Sequence, residues 1–308
     1  MILHNKYTRL LLLFFCIATT SCSIIPADNP KEVDFELHGH RGARGLAPEN
    51  TIPAFRKAVL FNVHSLELDI VVSKDSQIVI SHEPSFNPVF TTLPNGLPLS
   101  TSAAKAYNFY KMNYDEIRRF DVGLRIHPDF PEQETQAVFK PTLKEMVLDI
   151  DSFTDSLGKK RVHFNIDIKS SSSGYDINVP NPQKFIRLLL DLIKELGIHQ
   201  RCIVQSFDLE VLKELHLQDP SITISVLTTN KPTVDQLIES LGFTPAIWAP
   251  SYFGLTRATV QTYHRKNIRV IPWTVNESRY MENLIAIGVD GLITDYPNRY
   301  QAIAPITR

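Results

Sequence analysis

Short apolar runs alternate with longer amphipathic segments along most of the chain, and this alternation predicts its fold. Eight runs have the length of buried strands, and the segments between them repeat apolar residues at helical spacing. The predicted strands cover 35–39, 66–72, 162–168, 202–206, 222–227, 247–249, 268–273 and 291–294. The predicted helices cover 51–61, 143–157, 182–196, 209–217, 234–241, 256–266 and 278–287.

Strands that alternate with helices pack as parallel βα units, and eight such units close into a TIM-like (β/α)8 barrel of the α/β class. A doubly wound open sheet is the alternative. It is disfavoured because the first strand is not followed by the glycine-rich loop that binds a dinucleotide in such sheets.

A ninth apolar run, 78–81, follows the second strand after the short link 74–77. Because a link of this length is too short for a parallel crossover, the two runs are predicted to form a hairpin. With Asp75 and Ser76 as a two-residue turn, Asp69 lies directly opposite His82, their β-carbons about 5 Å apart.

A long segment rich in turns follows the hairpin, from about 83 to 140. Connections of this length inside a domain are usually functional loops or lids. We therefore expect an insertion over the mouth of the barrel, and a packed surface excursion without a role is the alternative.

The first 22 residues are predicted to be a secretory signal. Lys6 and Arg9 precede an apolar run that is too short to span a bilayer, and small residues lead to Cys22. This resembles a bacterial lipoprotein signal with acylation at Cys22, whereas ordinary signal cleavage is the alternative. The prediction is a protein exported to the periplasm or cell envelope and lipid-anchored to the membrane, with a tether over 23–34 and a barrel domain over 35–308.

Composition restricts the partners. The net charge is −1 and the sequence pI is about 6.8, and no sustained basic stripe favours nucleic acid. An anionic substrate would have to be held by a few local cations. Cys202 is the cysteine left in the mature body, so we expect no internal disulfide.

Three acidic residues occupy strand positions where a purely structural chain would place apolar ones: Glu67, Asp69 and Asp167. In a barrel, side chains near the carboxyl ends of strands face the catalytic side. Carboxylates crowded there require a hard divalent cation, which oxygen ligation identifies as Mg2+ or Ca2+. Three independent surface salt bridges are the alternative.

Basic side chains lie near these acids in the chain. His40 and His82 are candidates for general acid and base, since an unperturbed imidazole titrates near pH 6.5. Arg41 and Lys169 are suited to the charge of a phosphate, although either could be a plain ion-pair partner of the acids.

Four further residues are candidates for the substrate pocket: Glu49, Asn50, Gln205 and Trp273. Gln205 and Trp273 stand at strand ends, and Asn50 could also cap the helix that follows it. The pair His38 and His40 resembles the metal pair of barrel amidohydrolases, which require further histidines at later strand ends. His199 and His216 do not lie at such ends, so His38 is predicted to be a packing or hydrogen-bonding residue.

Taken together, the motifs resemble the glycerophosphodiester phosphodiesterase family, which has a TIM-like barrel. The resemblance covers nearly the whole mature chain. Its motifs are His40-Arg41-Gly42, Pro48-Glu49-Asn50-Thr51, Glu67-x-Asp69, His82, Pro141-Thr142-Leu143, Asp167-x-Lys169, Gln205-Ser206-Phe207, Trp273-Thr274-Val275 and Asp290-Gly291-x-Ile293-Thr294-Asp295.

The resemblance implies hydrolysis of small-molecule glycerophosphodiesters to glycerol 3-phosphate and an alcohol. It implies His40 and His82 as acid and base, Glu67, Asp69 and Asp167 as metal ligands, and Arg41 and Lys169 as phosphate contacts. Direct attack by water and a cyclic phosphate formed by the substrate's own hydroxyl both remain open.

Three positions depart from the family pattern. Asp167 replaces the usual glutamate, as in the related sphingomyelinase D group, Glu83 replaces the usual aspartate, and Asn62 replaces a helix-ending glycine. Two further functions therefore stay open: hydrolysis of intact phospholipid or sphingolipid head groups, and phosphodiester binding without catalysis.

Overall fold

Eight parallel strands form a nearly closed ring in the computed structural model, which describes residues 35–303. The order around the ring is β8-β7-β6-β5-β4-β2-β1-β9, and β3 pairs antiparallel with β2 off this ring. The strands are β1 (Glu36–Gly39), β2 (Ser65–Val72), β3 (Ile78–Ile80), β4 (His163–Ile168), β5 (Cys202–Ser206), β6 (Thr223–Thr228), β7 (Ile247–Pro250), β8 (Arg269–Val270) and β9 (Gly291–Thr294). The predicted TIM-like barrel is confirmed.

Most helices follow the strands and cover the outside of the ring, and two short ones lie within the segment 83–140. They are α1 (Ile52–Leu60), α2 (Thr101–Ala104), α3 (Tyr114–Ile117), α4 (Leu143–Ser156), α5 (Pro182–Leu196), α6 (Leu209–Gln218), α7 (Val234–Leu241), α8 (Arg257–His264), α9 (Ser278–Ile287) and α10 (Pro297–Ile303). Short 3-10 helices lie at Phe109–Lys111, Ser172–Gly174 and His199–Arg201.

The eighth strand of the ring, β8, is much shorter than the predicted run 268–273. Pro272 has no amide hydrogen and interrupts regular pairing there. Backbone bonds nevertheless link this segment to β9, from the amide of Asp290 to the carbonyl of Val270 and from the amide of Ile293 to that of Pro272, each 2.9 Å. These bonds cross the remaining gap in the ring.

Side chains alternate along the strands between two apolar layers. Outward-facing residues such as Leu66, Leu68 and Ile166 pack against the helices. Inside the ring a separate apolar layer forms a floor, and it consists of Ile203, Ile247, Ile271 and Ile293, with Trp273 packed against it. Buried polar side chains also face the inside of the ring, where Asn165 Nδ2 bonds to His38 and Gln205.

The hairpin of β2 and β3 forms, but its predicted register is wrong by one residue. Ile70 pairs with Ile80 and Val72 with Ile78, and the amide of Ser81 bonds to the carbonyl of Asp69. The turn contains three residues because Ser76 adopts a left-handed conformation, with φ of 62°. Asp69 thus stands opposite Ser81, and His82 follows the end of the strand.

The segment 83–140 has a small core of its own on the outer side of the hairpin. Phe86, Phe109 and Ile117 are buried against Val71 and Val79. This packing shows how the segment is held to the barrel. Its expected role as a lid stays a prediction.

The N-terminal predictions lie outside the described residues. These are the signal over 1–22, the lipidation site Cys22 and the tether over 23–34. Within residues 35–303, no helix is both long enough and apolar enough to cross a membrane. Cys202 is a free, buried cysteine.

Candidate active site

Three carboxylates converge at the carboxyl ends of neighbouring strands. Glu67 and Asp69 alternate along β2, and the parallel register pairs Asp69 with Asp167 on β4. One ligand atom from each lies within 4.8 Å of the others, and all three side chains are buried. Within residues 35–303 this is the one group of three potential metal-binding side chains that meets this distance.

Burial disfavours the charged forms of Glu67 and Asp167, whereas Arg41 and Lys169 outweigh burial and hold the pKa of Asp69 below its usual range. Burial and the charges of Asp69 and Asp167 raise the pKa of Glu67 well above its usual range. Burial also raises the pKa of Asp167 to about 6, against the opposing effect of Lys169. Asp167 Oδ1 is buried without a hydrogen-bond partner among the described residues. A divalent cation bound by these oxygens would relieve both the repulsion and the unsatisfied atom.

His40 is held beside the acidic cluster by a carboxylate from the far end of the chain. Its Nδ1 lies 2.6 Å from Asp295 Oδ1, and its Nε2 lies 3.9 Å from Glu67 Oε2. Because a carboxylate accepts the Nδ1 hydrogen, the neutral ring carries its lone pair on Nε2. Burial lowers the pKa of His40 to about 4, although Asp295 opposes this shift.

Asp295 is a site residue that sequence reasoning did not identify. Besides His40, it accepts two hydrogen bonds from Arg44, at 2.8 and 3.1 Å, and one from Asn276 Nδ2 at 2.7 Å. In the sequence, the motif 290–295 predicts only the last buried strand and the turn after it, and it gives Asp295 no chemical role. The available signal was its position directly after the carboxyl end of β9, where barrel side chains face the catalytic side.

His82 lines the same cavity as His40. It lies just beyond β3, and its Nδ1 is 3.0 Å from Glu83 Oε1. The side chain is 34% exposed, compared with 12% for His40, so it is the more open of the two imidazoles to solvent.

Arg41 is tied to the acids by both backbone and side chain. Its amide donates to Glu67 Oε2 at 2.8 Å, and Nη1 donates to Glu49 at 2.9 Å. Its Nε lies 3.1 Å from Asp69 Oδ2 as an ion pair without hydrogen-bond alignment. A φ of 49° places the residue in the left-handed region, which is uncommon for residues other than glycine and is found at functional sites.

Two more cations face the cavity. Lys169 Nζ lies 3.2 Å from Asp167 Oδ2 and 3.6 Å from Asp69 Oδ1. Arg44, which sequence reasoning did not select, also lines the cavity beside Arg41. The cavity has a volume of about 210 Å³ and combines these cations with the carboxylates. That combination suits an anion bound next to a metal ion.

The four predicted pocket residues divide into two pairs. Gln205 and Trp273 line the cavity, and Gln205 Nε2 donates to Glu67 Oε1 at 3.1 Å. Glu49 and Asn50 lie behind the lining residues, where Glu49 holds Arg41 and Asn50 Nδ2 donates to Asp69 Oδ2 at 2.8 Å.

His38 is a hydrogen-bonding residue, as predicted. It is fully buried, with its ring nitrogens 3.1 Å from Glu36 Oε2 and 3.2 Å from Asn165 Nδ2. His38 is therefore bonded to Glu36 and Asn165 and is not part of the acidic cluster.

Lys140 was not identified from the sequence because it lies in the turn-rich segment, where no periodicity marks it. It is 1% exposed, and its Nζ has no hydrogen-bond partner within residues 35–303. Burial lowers the pKa of Lys140, while the charges of Glu49 and Glu83 oppose the shift. The Lys140 side chain thus lies behind the acids, within reach of the charges of Glu49 and Glu83.

The glycerophosphoryl diester phosphodiesterase family model matches residues 40–299. A glycerophosphodiester phosphodiesterase of Bacillus altitudinis is 29% identical over 268 residues, which cover 86% of this chain and 96% of that protein. A lysophospholipase D of Mus musculus is 24% identical, with 84% of this chain and 83% of that protein covered.

Solved structures share the fold. A candidate glycerophosphoryl diester phosphodiesterase from Silicibacter pomeroyi superposes with a TM-score of 0.78 at 27% identity, covering 88% of this chain and 92% of that one. A phosphodiesterase from Oleispira antarctica, solved with its product sn-glycerol-3-phosphate, has a TM-score of 0.67 at 20% identity, covering 87% and 95%.

Proposed function

The chain belongs to the glycerophosphoryl diester phosphodiesterase family, and from this premise we propose that it hydrolyses glycerophosphodiesters to glycerol 3-phosphate and an alcohol. One observation supports this most strongly. A single cavity contains two imidazoles, three cationic side chains and three buried carboxylates. Acid–base groups, anion contacts and metal ligands are the components that metal-assisted cleavage of a phosphodiester requires.

Glu67, Asp69 and Asp167 would hold the metal ion. Their all-oxygen donor set and the unsatisfied Asp167 Oδ1 fit Mg2+ or Ca2+. When bound, such an ion stabilises negative charge on the phosphoryl oxygens.

His40 acts as the general base. The carboxylate of Asp295 holds the tautomer that directs the Nε2 lone pair into the cavity. A proton taken from water, or from a hydroxyl of the substrate, makes His40 cationic between Asp295 and Glu67, and both carboxylates stabilise that charge. His82 then supplies a proton to the departing alcohol oxygen from the same cavity.

Arg41 and Lys169 contact the phosphate, and Arg44 adds a third cation. Since Arg41 and Lys169 are already paired with the acids, they are positioned before the substrate arrives. Little reorganisation is then needed when the phosphate binds.

The test is release of glycerol 3-phosphate from a panel that contains glycerophosphocholine, glycerophosphoethanolamine and glycerophosphoglycerol. We expect turnover that chelator abolishes and Mg2+ or Ca2+ restores. Binding of these diesters without any release of glycerol 3-phosphate would instead support a non-catalytic binding protein and contradict the proposal.

A second candidate activity is hydrolysis of lipid head groups. Relatives named lysophospholipase D favour it, together with Leu124 and Ile126, two exposed apolar side chains of the segment 83–140. Lysophospholipid vesicles assayed beside the soluble panel decide between the two substrate classes. Faster hydrolysis of the lysophospholipid in vesicles than of the soluble diesters would show that lipid is the preferred substrate.

We also propose export and anchoring through a lipid on Cys22, supported by the N-terminal sequence alone. Expression of the full chain in a bacterium, followed by fractionation, tests it. Wild type is expected in the membrane fraction and the Cys22→Ser variant is not.

A further inference from the structure

A second cavity of about 240 Å³ opens directly beside the active site. We call it the serine cavity, because Ser170, Ser171, Ser173 and Ser206 are among its lining residues. Most of it belongs to the loop that follows β4, and beyond Lys169 the proposed mechanism assigns no role to that loop.

The serine cavity and the active-site cavity share a wall. His82, Lys169 and Phe207 line both. Lys169 Nζ also lies 5.8 Å from the centre of the Phe207 ring, so the cation and the aromatic face stand at the boundary together. A phosphodiester has two alcohol arms. When its phosphate is bound beside Lys169, one of these arms can extend into the serine cavity and remain in contact with the protein.

The loop that forms the cavity is held in place from two sides. Asp208 Oδ2 accepts from Ser170 Oγ at 2.7 Å and from the Tyr175 hydroxyl at 2.6 Å. Asn108 Nδ2, in the segment 83–140, donates to Asn178 Oδ1 at 3.1 Å. The cavity therefore exists before a ligand binds, which lowers the entropic cost of binding.

Two hydroxyls remain available for a ligand. Ser171 Oγ and Ser173 Oγ lie 3.3 Å apart, and both residues are exposed. A hydroxyl has one hydrogen to donate and two lone pairs, so one mutual bond leaves each residue with free hydrogen-bonding capacity. By contrast, Ser170 and Ser206 already donate, to Asp208 and to the carbonyl of Ile168.

The charge of the cavity disfavours a cationic alcohol. Of the described residues that line it, none is acidic, and Lys169 stands at its boundary. The nearby Asp208 accepts two hydrogen bonds at the same oxygen. A quaternary ammonium or ammonium group would thus meet the like charge of Lys169 and no carboxylate among the residues that line the cavity. The serine hydroxyls and the Asn178 amide that line the cavity can instead form hydrogen bonds with the hydroxyls of an uncharged polyol.

Resting on the proposed function, we infer that the serine cavity is a subsite for a neutral, hydroxyl-bearing alcohol arm of the phosphodiester. Such an arm comes from either of two sources. It is the variable alcohol of the substrate or the glycerol that stays with the phosphate, and both present hydroxyls to Ser171 and Ser173.

The experiment compares kcat/KM for glycerophosphoglycerol and glycerophosphocholine in the full chain and two variants. The double variant Ser171→Ala with Ser173→Ala removes the two available hydroxyls. Ser172→Ala is the matched control, since Ser172 lies in the same loop but is not among the residues that line the cavity.

We expect the double variant to lose roughly 5- to 30-fold in kcat/KM, as for one or two neutral hydrogen bonds, and the control to match wild type. A loss confined to glycerophosphoglycerol, together with a wild-type preference for that diester, assigns the cavity to the variable alcohol. An equal loss with both diesters assigns it to the constant glycerol.

Unchanged kcat/KM with both diesters in the double variant would overturn the subsite while leaving the proposed function in place. An equal loss in Ser172→Ala would also overturn it, because the effect would then belong to the loop and not to the hydroxyls. Absence of glycerol 3-phosphate with the wild-type chain would overturn the proposed function itself, and this inference with it.

Discussion

Asp295 Oδ1 lies 2.6 Å from His40 Nδ1, although the two residues are 255 positions apart. The contact joins the first and the last strand of the ring, since β1 and β9 pair directly and each residue follows the end of its strand. One carboxylate thereby sets the orientation and the tautomer of the proposed base.

Replacing Asp295 with asparagine should lower kcat by about 10²- to 10⁴-fold, because an amide can donate to Nδ1 and favour the wrong tautomer. KM should change far less. Steady-state kinetics measure both constants. Asp219→Asn, which alters a histidine–aspartate pair away from the cavity, should leave them unchanged.

The His40→Ala and His82→Ala variants should each lose about 10²- to 10⁴-fold in turnover, with an unchanged circular dichroism spectrum. His199→Ala removes a partly exposed imidazole outside the cavity and serves as the control. Retention of activity within a few-fold of wild type in either variant would remove that histidine from the proposed mechanism.

Metal binding to the acidic cluster should stabilise the fold. At a metal concentration of 100 times Kd, the stabilisation is about 2.7 kcal/mol, which raises the thermal midpoint by several degrees. Differential scanning fluorimetry with Mg2+ or Ca2+ against chelator measures it. Asp167→Asn should lose this response and Asp149→Asn, at an exposed ion pair, should keep it. A wild-type midpoint that chelator does not change contradicts metal binding.

Glu36 should contribute to stability in a pH-dependent way. Burial would raise its pKa, but the bonds from His38 and Arg269 prevail and lower the pKa from 4.5 to about 2. Because the folded pKa lies below the unfolded one, this contribution is complete above about pH 4.5 and is lost as the pH falls toward 2.

The Glu36→Gln variant should therefore be less stable than wild type at neutral pH, by about 1.5–3 kcal/mol, the value of hydrogen bonds to charged groups. The difference should shrink as the pH falls below 4.5. Urea unfolding at several pH values measures it, and a pH-independent difference would be inconsistent with this assignment.

Ser76 holds a left-handed conformation in the hairpin turn, with φ of 62°. Glycine has no β-carbon and adopts this region without the steric clash that a β-carbon causes. Ser76→Gly should therefore raise the free energy of unfolding by about 0.5–1 kcal/mol. Ser240→Gly, inside α7, should lower it by a similar amount. If both variants are destabilised, the turn conformation is not the one described.

Hydrophobic periodicity determined most of this fold. The segments α5, α7, α9, β5 and β9 begin and end where the pattern predicts, because burial of one face imposes a fixed spacing on each kind of element. Acidic residues at alternate positions of β2 likewise indicated the carboxylate cluster, since strand geometry places such residues on one face.

Contacts between segments distant in the sequence could be identified only from the tertiary structure. The register of the hairpin depends on the left-handed turn at Ser76, a conformation that serine rarely adopts and sequence does not reveal. Asp295, Arg44 and Lys140 join the site because ring closure and the packing of the segment 83–140 bring them there. Local sequence determines which face a side chain occupies, whereas its partner across the barrel follows only from how all the strands close together.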